Sequence, residues 1–288
     1  MNNPPKLKLS TPETLIENVL HLVSLPEIYL RLQQALDNPN HTRQQLADVV
    51  AYDPSLSARV LRIANSSYYG FSNKIESISA AVNIIGEIEL RNIVLATTVV
   101  NTMSKLEQGG LDINQFWLHS LNCGVIARLI GKLVGGCNSD NLFLCGMLHD
   151  LGILILYRQE FELANSVARQ MQDRQQSRDQ AEQSLLGFDH ARLGGLLAQA
   201  WGLTPVLQEV IKCHHQPDSA NEYLRESQIL CLANLFAQPE FEISHFMTEV
   251  SQESRGLAET LGIDKNIVPE LIENAQQQSD EIRSIICG

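Results

Sequence analysis

The chain has 288 residues, of which 44% are hydrophobic and 19% charged, and its formal net charge is −12. This length and composition predict a globular protein of one large domain or two smaller ones, and exclude a peptide-sized module or a wholly disordered chain. The acidic balance, with no local basic patch to offset it, argues against binding to the phosphate backbone of a nucleic acid.

The N-terminal ten residues contain two lysines but no apolar stretch of the kind found in signal peptides. The longest apolar run, at 142–156, is interrupted by His149 and Asp150, so we expect no membrane span. Six cysteines lie in apolar helical patterns without CxxC spacing, which favours reduced core thiols over metal ligands or disulfides. These features predict a cytoplasmic protein.

Helix signals follow one another through the first hundred residues, and strand alternation is nearly absent. Thr11 precedes a proline that suits the first helical position, and residues 42–45 form a capping box. A second helix start with proline at the first helical position follows at Asp53-Pro54. The pattern predicts about five short helices joined by tight turns.

The helix pair predicted within residues 78–100 has the length of a DNA-binding helix-turn-helix. Glu76, Glu87 and Glu89 flank it, and few basic residues lie nearby. Acidic side chains repel phosphates, so this pattern favours core packing over DNA recognition. We expect no nucleic-acid partner.

A break follows at residues 107–110, where paired glycines coincide with a loss of apolar periodicity. We predict a subdomain boundary here. Asp112 then caps a helix that contains Trp117 and His119. The sequence thus predicts an all-α fold, with one helical bundle before the paired glycines and a larger one after them.

Residues 170–183 are rich in Gln, Arg and Asp and indicate a solvated helix face or a mobile connection. Further helices are predicted at about 189–200 and from Thr204, the latter ending at His214 and His215. A segment at 221–237 is again helical, and the remaining fifty residues suggest two or three helices with a weak pattern.

The apolar run at 142–156 reads LFLCGMLHDLGILIL, which is long enough for about four turns of one core helix, and its ionisable members are His149 and Asp150. Burying an imidazole and a carboxylate is costly unless both are hydrogen-bonded, ion-paired or bound to a metal. An isolated pair would favour a buried His-Asp hydrogen bond. The pair is not isolated, because four further histidines lie in segments that could converge on Asp150: His119, His190, His214 and His215. As an array, these residues favour a metal site.

Neutral imidazoles combined with a hard carboxylate suit zinc, iron, manganese or nickel better than calcium or magnesium. We therefore expect one or two divalent transition-metal ions. The Asp150 carboxylate could bridge two ions, an arrangement that serves phosphate hydrolysis.

Ordered segments of the chain resemble the HDOD domain family, bacterial signal-output modules related to HD-type phosphohydrolases. The N-terminal half matches through LPEIYLRLQQALDNPN at 25–40, ADVVAYDPSLSARVLRIANSSYYG at 47–70 and ISAAVNIIG at 78–86. Downstream, FWLHS, GMLHDLG, GFDHARLGGLLAQAWGL and HHQP continue in the family's order. The resemblance covers roughly residues 20–236 and implies that the second bundle is an HD-like bundle.

The resemblance also implies a division into domains. Residues 1–19 would be an N-terminal extension, residues 20–236 the HDOD domain, and residues 237–288 additional C-terminal helices. Within the HDOD domain, residues 20–106 would form the N-terminal helical subdomain and residues 111–236 the HD-like subdomain.

Metal ligands of the wider HD superfamily, which includes cyclic-di-GMP phosphodiesterases, can be carried over by position. The residues that match are His119 as the first ligand, His149 and Asp150 as the naming pair, and His190, His214 and His215 as ligands of a second metal.

The chain departs from the superfamily pattern at three places. Asn234 stands where the superfamily closes its site with an aspartate, and an amide oxygen can ligate a metal but carries no charge. Ile153 stands where the phosphodiesterases commonly have a lysine, and residues 218–221 replace their GYP segment.

Two functions are compatible with these residues. The first is a stand-alone HDOD signalling module that keeps a metal site, has weak or no catalysis, and acts through a signalling protein partner or a small phosphorylated ligand. The alternative is a metal-dependent phosphohydrolase in which Asp150 would be catalytic. The missing lysine and GYP segment favour the first, and the near-complete ligand set supports the second. Ligand sensing in the same cleft without hydrolysis is a third possibility. The sequence indicates no oligomeric state.

Overall fold

The architecture was examined in a computed structural model, which describes residues 10–21, 23–105, 109–239, 241, 247 and 252–286. Over these residues the regular elements are α-helices and two short 3-10 helices, with no strand. The predicted all-α class is confirmed. The predicted linker residues Glu107 and Gln108 lie outside the described residues, and the predicted domain limits stay predictions.

Six helices make up the N-terminal part: α1 (Pro12–Leu20), α2 (Glu27–Asp37), α3 (Arg43–Ala51), α4 (Pro54–Ala64), α5 (Ile78–Ile85) and α6 (Glu87–Met103). Their starts follow the capping chemistry of the sequence. Asp53 accepts hydrogen bonds from two backbone N–H groups at the start of α4, and Thr42 and Gln45 form a complete capping box on α3.

The larger part begins with one long helix and continues with shorter ones: α7 (Ile113–Val134), α8 (Ser139–Leu148), α9 (Leu151–Gln159), α10 (Phe161–Arg174), α11 (Arg178–Leu186), α12 (His190–Ala200), α13 (Pro205–Cys213) and α14 (Leu224–Ala237). The C-terminal helices are α15 (Gln252–Thr260) and α16 (Val268–Ile286). The expectation of two or three helices in the last fifty residues agrees with these two in the described part of the chain.

Helix α7 is the central element of the larger bundle and packs against α8, α14 and α16. Two glycines permit the closest crossing, since a Cβ on Gly146 would lie 2.4 Å from the Cα of Gly124. Helix α12 packs on α13 and α9, and α6 joins the N-terminal helices to α8. One apolar core runs through both parts of the described chain.

The apolar segment Ser139–Gln159 is long enough to cross a membrane, with a mean hydropathy of 1.3, but 83% of its apolar window is buried inside the protein. A buried segment of this kind is typical of the core of a helical bundle. The sequence predicts one continuous helix here, and that expectation is wrong. His149 ends α8, and Asp150, with φ −94° and ψ 4°, separates it from α9.

The polar stretch at 170–183 forms the end of α10 and the start of α11, joined at Gln175 in the left-handed conformation. The expectation of a solvated helix face or a mobile connection is wrong at two positions, because Ala181 and Glu182 in α11 are completely buried. Five cysteines in the described part have free thiols, as predicted, and Cys287 lies outside it.

Candidate metal centre

Asp150 lies at the junction of α8 and α9, where the chain leaves helical geometry between two buried apolar segments. The start of α12 approaches this junction closely. A Cβ on Gly152 would lie only 2.1 Å from the carbonyl oxygen of His190, so glycine is needed for the two segments to touch. This contact brings His190 beside Asp150.

Histidines from four different segments surround the Asp150 carboxylate. Its Oδ1 atom lies 3.1 Å from His190 Nε2, 3.2 Å from His149 Nε2 and 3.9 Å from His214 Nε2. Its Oδ2 atom lies 3.6 Å from His119 Nε2. His215 completes the set through its Nε2 atom, 2.8 Å from that of His190. The predicted convergence of all six residues on one place is confirmed.

The six side chains form two groups of three, and the candidate ligand atoms of each group lie within 4.8 Å of one another. One group contains His119, His149 and Asp150, and the other His190, His214 and His215. Ligands about 2.1 Å from a common ion lie roughly 3–3.4 Å apart, so the shorter separations around Asp150 match the edges of a coordination shell. The split corresponds to the two ligand sets implied by the resemblance.

The ring orientation of two histidines is fixed by backbone carbonyls. His149 Nδ1 lies 2.7 Å from the Gly146 oxygen, and His214 Nδ1 lies 2.7 Å from the Ile211 oxygen. A carbonyl only accepts, so each Nδ1 carries a proton, and when the ring is neutral its Nε2 atom presents a lone pair.

Both of these Nε2 atoms are buried and have no hydrogen-bond partner in the described part of the protein. For His149, the lone pair faces a carboxylate oxygen 3.2 Å away. Two acceptors repel at that distance unless a proton or a metal cation lies between them. The donor set therefore fits a divalent transition metal.

Glu182 contacts His190, a member of the second group, at the ring nitrogen that does not face Asp150. Its Oε2 atom accepts hydrogen bonds from the backbone N–H of His190 at 2.7 Å and from His190 Nδ1 at 2.6 Å. This is the carboxylate–histidine pairing that orients many metal-binding imidazoles. Sequence reasoning missed Glu182 because its neighbours are polar, although its i,i+4 spacing to Leu186 places it on the buried face of α11.

The side chains of the centre have an uneven charge distribution. Burial lowers the pKa of His190, but the charges of Glu182 and Asp150 outweigh it and raise that pKa to about 10. Burial and the charge of His190 lower the pKa of His215 to about 3, and burial also lowers that of His214. Burial opposes ionisation of Asp150, yet the facing His149 and His190 hold its pKa well below the usual range.

The three departures from the superfamily pattern have different surroundings. Asn234 lies in α14 beside His119 and accepts a hydrogen bond from Gln238 at 3.1 Å. Ile153 is buried in the apolar core of α9. Residues 217–219 form a short 3-10 helix after the paired histidines.

The HDOD domain profile matches residues 22–217, more than half of the chain. The chain belongs to the HDOD family. Among solved structures, it is similar to a candidate phosphohydrolase from Shewanella amazonensis SB2B, with 27% identity, a TM-score of 0.76, and coverage of 94% of this chain and 98% of the other. It is equally similar in fold to an HDOD domain protein of unknown function from Geobacter sulfurreducens, with 25% identity, a TM-score of 0.76, and coverage of 95% and 98%.

An uncharacterized protein from Treponema pallidum (strain Nichols) is 22% identical to this HDOD chain over 277 residues. The match covers 90% of the chain but 53% of the relative, so the chain spans about half of that relative's length.

Proposed function

We propose that the chain is an HDOD signal-output module of the cytoplasm that holds a metal centre and has weak or no hydrolytic activity. It acts through a signalling protein partner or a small phosphorylated ligand. The carrying observation is the pair of buried Nε2 lone pairs, on His149 and His214, that face Asp150 without a donor.

The donor set supports one or two divalent ions of iron, zinc, manganese or nickel. One group would consist of His119, His149 and Asp150, with Asn234 as an additional amide ligand. His190, His214 and His215 would form the other, and the Oδ1 atom of Asp150 lies close enough to both groups to be shared.

Three departures from the superfamily pattern around the metal centre support weak catalysis. Ile153 belongs to the apolar core, so α9 offers no cation to a phosphate at the position where the phosphodiesterases commonly have lysine. Asn234 leaves the ligand set with a single carboxylate, Asp150. Residues 218–221 take the place of the GYP segment.

The second candidate is a metal-dependent phosphohydrolase acting on a nucleotide or another phosphoester. The observation in its favour is that the candidate ligands form two groups of three, with the Asp150 carboxylate in one group and close to the other. This arrangement suits a two-metal site. Two such ions, when bound, activate a water and stabilise the charge that develops on a phosphate. The similar Shewanella protein is called a candidate phosphohydrolase.

Metal content and turnover, measured on the same samples, separate the two candidates. The protein is purified without added metal, analysed for its elements, and assayed against cyclic dinucleotides, nucleotides and generic phosphoesters. We expect bound metal and little or no turnover. Robust hydrolysis by a metal-loaded wild type that disappears in Asp150→Ala would establish the phosphohydrolase and refute the preferred proposal.

A further inference from the structure

Glu182 is a fully buried carboxylate that touches a candidate ligand at two atoms. Its Oε2 atom lies 2.7 Å from the backbone nitrogen of His190 and 2.6 Å from its Nδ1. Its Oε1 atom has no hydrogen-bond partner in the described chain, and the Arg178 guanidinium lies 3.8 Å away. A buried carboxylate is costly, so its charge must be offset by something close to it.

The balance of positive and negative charges at the metal centre indicates a role for Glu182. Within the described residues, Asp150 and Glu182 are the carboxylates that lie within 4.0 Å of these histidine nitrogens. Two divalent ions would bring four positive charges into a buried place where Asn234 contributes none in return. Glu182 is the available source of a second negative charge.

The four candidate ligand histidines with assigned Nδ1 contacts are not supported equally. His119, His149 and His214 face neutral backbone carbonyls, at 3.3, 2.7 and 2.7 Å. His190 alone among these faces a carboxylate. An imidazole that donates to a carboxylate is a stronger electron donor at its other nitrogen, and removal of such a partner typically costs 10–100-fold in metal affinity.

We infer that Glu182 is a positioning residue that fixes His190 and supplies the negative charge that Asn234 lacks, making the group of His190, His214 and His215 the tighter metal site. This inference rests on the proposed metal centre. It assigns a function to a residue that belongs to neither ligand group, and it predicts that the two groups respond differently to loss of one charge.

Two substitutions of Glu182 distinguish the effect of its charge from the effect of its shape. Glu182→Gln keeps the shape and the acceptor oxygen but removes the charge. Glu182→Asp keeps the charge but withdraws the carboxylate by one methylene. If charge is what matters, the aspartate variant binds metal more tightly than the glutamine variant. If Glu182 only fills space and accepts hydrogen bonds, the order is reversed.

Metal binding is measured with Co²⁺ as the probe, followed by its visible spectrum and by chelator competition, on apo-protein of each variant. Glu162→Gln, an exposed position on α10, is the matched control. We expect Glu182→Gln to lower the affinity for the tightest ion by 10–100-fold, Glu182→Asp by less, and Glu162→Gln not at all. Circular dichroism checks that each variant is folded.

Three results would overturn the inference. Wild-type affinity in Glu182→Gln removes Glu182 from the metal site while leaving the proposed function intact. A glutamine variant that binds more tightly than the aspartate variant shows a packing role. A wild type that binds no Co²⁺ refutes the proposed function and this inference together. Should Glu182→Gln fail to fold, the first result has a substitute: unchanged Co²⁺ affinity in Glu182→Asp, whose shorter carboxylate is withdrawn from His190 Nδ1, refutes the positioning role.

Discussion

Two buried polar regions lie in this fold, and their chemistry differs. Around Asp150, acceptor atoms converge on other acceptors, and the lone pairs of His149 and His214 lack a donor. Between α6 and α7, Glu89 accepts a hydrogen bond from Tyr69, and the Arg128 guanidinium lies 3.8 Å from the centre of the Tyr68 ring. Anion, cation and donors are all present in this second region.

The second region satisfies most of its charge internally. Arg128 donates to the Tyr68 carbonyl oxygen at 3.0 Å and lies 3.4 Å from the Asp140 carboxylate, so it links the 65–77 connection to α7 and α8. A buried polar region that contains its own cation stabilises the fold, whereas a buried region of acceptor atoms needs a bound cation. The comparison therefore distinguishes a structural cluster from a ligand site.

Removing the shared carboxylate should have the largest effect. Asp150→Asn keeps the shape of the side chain but removes the charge that both ligand groups face. We expect metal affinity to fall by more than about 100-fold, beyond the usual cost of losing a carboxylate that only supports a ligand. Elemental analysis and chelator competition measure this. Unchanged metal content would contradict the ligand assignment.

Arg128→Met should lower the stability of the fold and leave metal binding unchanged. The substitution removes the cation beside Asp140 and leaves the Tyr68 carbonyl without its charged donor, and a hydrogen bond to a charged group typically contributes about 1.5–3 kcal/mol. Urea unfolding should show this loss in the free energy of unfolding, while metal content stays at the wild-type level. If Arg128→Met removes metal instead, the two regions are not independent.

Glu89 should make stability depend on pH. Burial, followed by the charge of Asp140, raises the pKa of Glu89 to about 7, although Tyr69, Arg128 and Lys132 oppose this. The folded state thus holds a proton that the unfolded state releases near pH 4.5. The stabilisation is complete below that pH and is lost as pH rises through 7, by at most about 3 kcal/mol.

Glu89→Gln should therefore remove this pH dependence and unfold at higher urea concentration than the wild type at pH 8. The exposed Glu76→Gln is the matched control and should leave the profile unchanged. An identical pH profile in Glu89→Gln and wild type would show that Glu89 does not ionise in this range.

The close approach of α9 to α12 provides the smallest predicted effect. Gly152→Ala forces the His190 carbonyl away from the new Cβ, and such overpacking costs about 1–3 kcal/mol. We expect reduced stability together with weaker metal binding. Gly256, which has open space around it, is the control, and Gly256→Ala should stabilise its helix by about 0.5–1 kcal/mol. Equal effects at both glycines would contradict the packing argument.

Local chemistry explains which features the sequence could predict. Helix starts such as the capping box of Thr42 and Gln45 depend on residues three apart, so the pattern carries the information. The convergence on Asp150 was also predictable, since polar side chains in apolar helices need common partners.

Tertiary contacts explain what was missed. Glu182 lies in a polar segment where the i,i+4 spacing to Leu186 is the only local sign of burial, and its contact with His190 at the start of α12 is a tertiary one. The helix break at Asp150 lies in a largely apolar run without proline, so no local helix-breaking signal of that kind marks it.

Anomalous X-ray diffraction from crystals of protein purified without added metal tests the metal centre most directly. Data collected at the absorption edges of iron, zinc, manganese and nickel should show one or two peaks at about 2.0–2.2 Å from the Nε2 atoms of the ligand histidines and from Asp150. An absence of anomalous signal, with a proton shared between His149 Nε2 and Asp150 at neutral pH, would contradict the proposal.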